Sequence, residues 1–254
     1  MEARKAVSPG STVLIVGGSS GLGRDLAERF ASSGYTLALL SSDPRDTGAV
    51  AADLSLRWGV RVLPIVLDLA AAPVPVARLD EALDQLPPLT GLVLAAGAVQ
   101  PADMPGQEDS ALEALTSANY TALCRIVNHC LPRLQGAAGG LVVGFGSIAA
   151  ARGRTRNAGY SAAKRALQSY FESLRHALAG SDVVVQFYVL GYLDTNLAFG
   201  RATPLPAASP ARLADRVYRR RRRDFGVAYY PRFWRPICAL LRGLPWFMFR
   251  RLSF

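Results

Sequence analysis

This chain of 254 residues is poor in cysteine, lysine and histidine, with three, two and two of them. Three scattered cysteines exclude a disulfide scaffold and suit a reducing compartment. His129 and His176 lie far apart in the sequence without ligand-like neighbours, and no metal site is expected. No uninterrupted apolar stretch reaches the roughly 18 residues of a spanning helix. The opening MEARKAVSPG lacks the apolar core of a secretory signal. Half of the residues are apolar and 19% are charged, so wholesale disorder is excluded. The length fits one domain, or at most two, at roughly 100–200 residues each.

Acids are missing from one region in particular. Residues 216–254 hold eleven arginines and a single acid, Asp224, which accounts for the whole formal charge of +10. The body before them is electrically balanced, so the two parts have different work to do. Lysine is almost entirely replaced by arginine, leaving only Lys5 and Lys164. A lysine that survives inside a motif therefore raises a question.

Short apolar runs at residues 12–16, 36–40, 62–67, 92–96, 141–145 and 183–190 alternate with amphipathic stretches at 22–33, 47–58, 76–86, 110–135 and 159–178. The runs are rich in Val, Leu and Ile without clean alternation, as strands covered on both faces are. The alternation reads as βα units around a parallel sheet. Residues 1–230 are expected to form one domain. Within it, 191–210 form a loop, and a helix over 211–223 ends in five arginines.

The first run leads into Val16-Gly17-Gly18-Ser19-Ser20-Gly21-Leu22-Gly23. Glycines let backbone approach a pyrophosphate, and the first amides of the following helix present the positive end of its dipole to an anion. The alternative is an ordinary glycine-rich βα turn. With its G-x-x-x-G-x-G spacing, this turn resembles that of the short-chain dehydrogenase/reductase family. Asp68-Leu69 resembles the family's adenine-contacting pair. Leu94-Ala95-Ala96-Gly97 stands where the family has Asn-Asn-Ala-Gly, and Leu190-Gly191-Tyr192-Leu193-Asp194-Thr195 resembles the loop that closes over the nicotinamide.

The resemblance spans residues of about 12 to 215. It implies a doubly wound Rossmann fold, three layers αβα, with a C-terminal helical extension. It further implies a nicotinamide dinucleotide held by Gly17, Ser19, Ser20, Gly21, Leu22, Gly23, Asp68, Leu69, Ala96, Gly97, Gly191 and Thr195. At the end of the second strand the family uses an acid for NAD and a nearby arginine for NADP. Here Ser41 and Ser42 take those positions, with Arg45 or Arg24 in reach and Asp43 arguing the other way. NADP(H) is favoured over NAD(H). Leu94 and Ala95 remove two asparagines that brace the central strand, and Leu190 replaces a proline that stiffens the loop.

Tyr160 and Lys164 lie four apart on a helix, so they share a face. A free phenol titrates near 10. An ammonium about 4 Å away, at an effective dielectric near 20, is worth roughly 4 kcal/mol, or about three pKa units. Alone, such a pair is as readily a surface contact. Ser147, thirteen residues earlier, and Asn119, 28 residues before that, complete the family's set. The resemblance implies Tyr160 as general acid, Lys164 lowering its pKa and holding the cofactor ribose, Ser147 stabilising the oxyanion and Asn119 supporting a water relay. It also implies a homodimer or homotetramer formed through the helices carrying Asn119 and Tyr160.

The segment 231–254 interleaves aromatic, aliphatic and arginine residues, with a helical period from Phe233 and Pro245 as its stop. Three readings stand open: packing on the body or a second subunit, a peripheral anchor on an anionic membrane surface, and nucleic-acid binding. Nucleic acid is the least favoured, because base-reading motifs are absent. The anchor reading pairs with an apolar, lipid-like carbonyl or alcohol substrate beneath a lid at 191–210 containing Leu193, Leu197, Phe199 and Leu205. The competing functional class is a non-catalytic redox sensor or scaffold that keeps the fold.

Overall fold

The computed structural model describes residues 10–71, 74–137, 139–195 and 205–252. Seven parallel strands form one sheet: β1 (Thr12–Val16), β2 (Thr36–Ser41), β3 (Val62–Val66), β4 (Leu89–Leu94), β5 (Gly140–Ser147), β6 (Val183–Leu190) and β7 (Gly226–Tyr230). Their order is β3-β2-β1-β4-β5-β6-β7. The chain therefore winds outward from β1 in one direction, then crosses to β4 and winds in the other. A doubly wound sheet of this kind opens a crevice at the carboxyl ends of β1 and β4.

Helices cover both faces: α1 (Gly21–Ala31), α2 (Pro44–Trp58), α3 (Ala77–Leu83), α4 (Asp109–Thr116), α5 (Ala122–Gly136), α6 (Ala158–Ala177) and α7 (Pro210–Arg220), with α8 (Trp234–Gly243) and α9 (Trp246–Phe249) in the C-terminal segment. Alternation along β1 shows how two cores arise from one strand. Val13 and Ile15 face Leu26, Phe30 and Val217, while Leu14 and Val16 face Ile126, Val127 and Phe171. The three-layer αβα arrangement follows.

Two features depart from the sequence expectation. The helix expected over 110–135 is interrupted by a π-helical turn, Ser117–Thr121. Its widened backbone is fixed by the Asn119 side chain, whose amide donates to the Leu115 carbonyl at 2.9 Å and the Ala98 carbonyl at 2.8 Å. A seventh strand, β7, pairs with β6 from Gln186↔Gly226 to Leu190↔Tyr230, in a stretch after the arginine run where the sequence predicts no strand. Of the lid, Leu197 and Phe199 lie outside the described residues. Its base is closed where the Ala208 amide donates to the Tyr192 carbonyl at 2.8 Å.

The arginine run closes α7 and is held locally. Arg219 pairs with Asp215 at 2.6 Å, Arg220 lies 4.1 Å over the Phe225 ring and Arg221 lies 4.1 Å over Tyr218. Gln186 donates to the Arg220 and Arg223 carbonyls, satisfying the end of the helix. The C-terminal segment packs on the body. Trp234 and Cys238 are buried, and Arg152 donates to the carbonyls of Leu241 and Leu244 with its guanidinium 4.0 Å over Phe249.

Candidate active site

The crevice at the switch point holds a cavity of about 560 Å³. Gly17 sits at φ +83°, and a Cβ there would lie 2.6 Å from Ala96 Cα. Only glycine lets the first turn lie against the end of β4. A Cβ on Gly23 would fall 1.9 Å from the Gly17 carbonyl oxygen, so that glycine lets α1 start close under the turn instead of touching a ligand. Ser19, Ser20, Gly21 and Leu22 do line the cavity. Ser20 precedes α1 without donating or accepting a side-chain cap, which leaves its hydroxyl and the opening amides facing an anion site. Thr195 stands across from Gly21, its Cγ2 3.4 Å from where a Cβ would be. This cradle, which side chains would fill, fits a dinucleotide pyrophosphate.

At the far end Ser41, Ser42, Asp68 and Leu69 form the wall. Ser41 is drawn inward by a hydrogen bond with Thr47. Asp43 is taken out of contention because its carboxylate caps α2, accepting from the Arg45 and Asp46 amides at 2.8 and 3.0 Å. Arg45 is off the cavity wall, and Arg24 lies 3.9 Å from Asp53. Neither arginine lines the cavity, while two hydroxyls and no β2 acid stand on the wall.

The opposite end is built by β4, the π turn, β5 and α6. Ala96 and Gly97 bring the backbone to the wall, and a Cβ on Gly97 would lie 3.2 Å from Asn119 Oδ1 and 3.3 Å from Lys164 Nζ. Asn119 and Lys164 therefore converge on one spot. Both are buried, and Lys164 donates to the Ala96 carbonyl at 3.3 Å. Tyr160 lines the cavity beside Lys164, with the Ser147 hydroxyl close enough to its phenol to favour the ionised form. Ser147 accepts from the Ala149 amide at 3.1 Å, at the last rung of the β5–β6 ladder opposite Leu190.

Leu190 in place of proline keeps an amide for that ladder. Leu94, in place of asparagine, is fully buried between Val16 and Gly144. The Ala95 amide donates to the Val16 carbonyl at 2.9 Å, so packing and backbone bonds hold this strand end. Gly191 is not on the dinucleotide wall. A Cβ there would meet the Trp234 indole at 1.9 Å, so its smallness makes room for the C-terminal segment.

The electrostatics of the pair differ from the simple Coulomb expectation. Burial pushes the Tyr160 phenol up, opposed by its bond to Ser147. Burial brings Lys164 down to about 8. The ammonium lies 5.9 Å from the centre of the tyrosine ring and is engaged by Ala96, so desolvation dominates both groups in the free chain. The phenol is an acid held protonated, and the lysine is poised near neutrality.

Asp103 went unnoticed in the sequence. This buried carboxylate accepts from the Gly159 amide at 2.7 Å and the Tyr160 amide at 2.9 Å. It caps α6 from 56 residues away, because the local cap position, Asn157, is at φ +59° and makes no side-chain cap bond. No local pattern signals such a cap. The expected result of Asp103→Ala is a loss of about 1–2 kcal/mol of stability. Together with it, kcat should fall more than KM changes, because Tyr160 loses its anchor; chemical denaturation and steady-state rates measure both.

A second cavity of about 440 Å³ is lined mainly by apolar groups that include Ile148, Tyr192, Leu205, Trp234, Leu241 and Phe249. It exists because α8 and α9 roof the short 3₁₀ turn Ile148–Ala151. No group of three or more His, Cys, Asp or Glu gathers among the described residues. His129 instead meets Asp80 at 3.0 Å, and Cys124 and Cys130 are buried thiols pushed up to about 12.

A family model described as short chain dehydrogenase matches residues 11–203. The chain is 30% identical over 253 residues to a hydroxysteroid 11-beta-dehydrogenase 1-like protein of Macaca fascicularis, covering 96% of this chain and 88% of that protein. It is 29% identical over 244 residues to an oxidoreductase of Mycobacterium tuberculosis, covering 94% and 96%. Among solved structures, a short-chain dehydrogenase from Sphingobium yanoikuyae in complex with NADPH is 26% identical, with a TM-score of 0.79 and 96% of each chain covered.

Proposed function

Because this chain belongs to the short chain dehydrogenase family of oxidoreductases, we propose that it transfers a hydride between NADP(H) and the carbonyl or alcohol carbon of an apolar small molecule. The observation that carries this reading is the convergence of Asn119, Lys164 and Tyr160 at one end of the first cavity, with Ser147 beside the Tyr160 phenol and Ile148, the next residue, lining the apolar second cavity. The glycine turn, Ser19, Ser20 and the opening of α1 would hold the pyrophosphate. Asp68 and Leu69 would border the adenine, and Lys164 would reach the nicotinamide ribose. When bound, the nicotinamide supplies or accepts the hydride.

The chain's own residues do the rest. Ser147 donates to the substrate oxygen where negative charge develops. Tyr160, protonated at neutral pH, delivers the proton to that oxygen during reduction. Lys164 supplies positive charge behind the phenol, and Asn119 fixes the π turn and the Ala98 backbone that border Lys164. The carbonyl-bearing body of the substrate lies in the apolar cavity, which favours ketones and aldehydes with ring or acyl bodies over small polar ones. NADP(H) over NAD(H) rests on the lack of an acid at the end of β2. The assembly that goes with this reading is a homodimer or homotetramer formed through α5 and α6. The compartment is a reducing one inside the cell, in keeping with three buried free cysteines.

The test is consumption of NADPH and of NADH with a panel of apolar ketones and aldehydes. Faster consumption of NADPH than NADH with at least one of them is expected. Tight dinucleotide binding without turnover of any member would instead favour the non-catalytic sensor or scaffold.

A further inference from the structure

The C-terminal helices have two faces. Trp234, Cys238 and Phe249 turn inward and are buried, while Leu240 is 67%, Trp246 67% and Phe247 59% exposed, joined by Met248 and Leu252. A dense outward cluster of this kind marks an interaction surface. Arg235, Arg242, Arg250 and Arg251 border it, all exposed, and no acid follows Asp224.

We propose that this outer face docks on an anionic lipid bilayer, with Trp246, Phe247 and Met248 entering the interface and the arginines meeting head groups. Two arguments select that occupant. A second copy of the chain pairing by a two-fold axis would set the same arginines against each other, with no acid in the segment to compensate. A bilayer surface instead accepts aromatic, aliphatic and guanidinium groups together, as amphipathic interfacial helices require. No helix among the described residues is long and apolar enough to cross a membrane, so the contact is with the surface. The inner face of the same helices roofs the apolar cavity. On the reading given above as the proposed function, lipid-soluble carbonyl compounds would then reach the reaction centre from the bilayer.

The test is co-sedimentation with phosphatidylcholine vesicles, with and without phosphatidylglycerol, in the absence of dinucleotide and carbonyl compound. The full chain is expected to pellet with the anionic vesicles and to stay in solution with the neutral ones. Substituting Trp246→Ser, Phe247→Ser and Met248→Ser together is expected to lower the partition coefficient at least about tenfold. The thermal midpoint and any NADPH turnover on a water-soluble carbonyl are expected to stay unchanged. Parent protein that ignores anionic vesicles overturns the proposal, as does a triple variant that pellets like the parent. A solution dimer that the same substitutions convert to monomer, with vesicle partition unaltered, assigns the face to a second copy and also overturns it. Because partition is read without turnover, failure of the hydride-transfer reading leaves this result standing, and the reverse.

Discussion

Tyr160→Phe is expected to fold and bind NADP(H) as the parent does, while reducing a carbonyl substrate about 10²–10⁴-fold more slowly. The substitution removes one oxygen from the cavity wall and leaves the ring packed. It deletes the proton donor and the partner of Ser147, but nothing that holds α6, because Asp103 caps that helix through backbone amides. Binding should therefore survive when followed by fluorescence titration, and the loss should fall on kcat. A variant that turns over at nearly the parent rate would remove Tyr160 from the chemistry.

Lys164→Met should gain stability as it loses activity. A lysine displaced from 10.5 to about 8 by burial carries a penalty of roughly 3 kcal/mol in its charged form. The sign follows from the protons bound. Between about pH 8 and 10.5 the unfolded chain holds this proton and the folded chain has released it, so stability rises with pH across that window. Below about 8 both states are protonated and the full penalty is present. Methionine has similar length and no charge. It removes the penalty but also the bond to the Ala96 carbonyl, worth about 1 kcal/mol. The expected net gain is about 2 kcal/mol at neutral pH, or roughly 4–8 °C in Tm. A variant less stable than its parent at pH 7 would contradict this account.

The same lysine sets an activity limb in the parent. If reduction needs the ammonium, kcat/KM is level below about pH 8 and declines above it as Lys164 loses its proton. Differential scanning calorimetry and a pH series of NADPH consumption read the two effects separately.

The residues proposed for the nucleotide turn and the reaction centre stand out in the sequence because each obeys a local constraint. β1 must be apolar when covered on both faces, Gly17 must lie against Ala96, and Tyr160 and Lys164 must share a helical face. What escaped depends on distant partners. The π turn exists because Asn119 bonds to the Ala98 backbone, which no periodicity reports. β7 is a partly exposed edge strand next to the arginine run, so it lacks the continuous apolar signature of the buried strands. The capping role of Asp43 was within reach, since aspartate followed by proline after a strand marks the start of a helix. The second cavity has no signature in the sequence, because its walls come from residues 148–154, from Tyr192 and Leu205, and from the distant segment that holds Trp234 and Phe249.

Gly191 and Trp234 are interlocked: the indole occupies the space a side chain at 191 would take, and its ring stands 5.5 Å from that of Tyr192. Any hinge movement of the stretch leading to Thr195 must therefore drag α8 along with it. On the proposed function, seating a coenzyme would be felt through this contact at the roof of the apolar chamber.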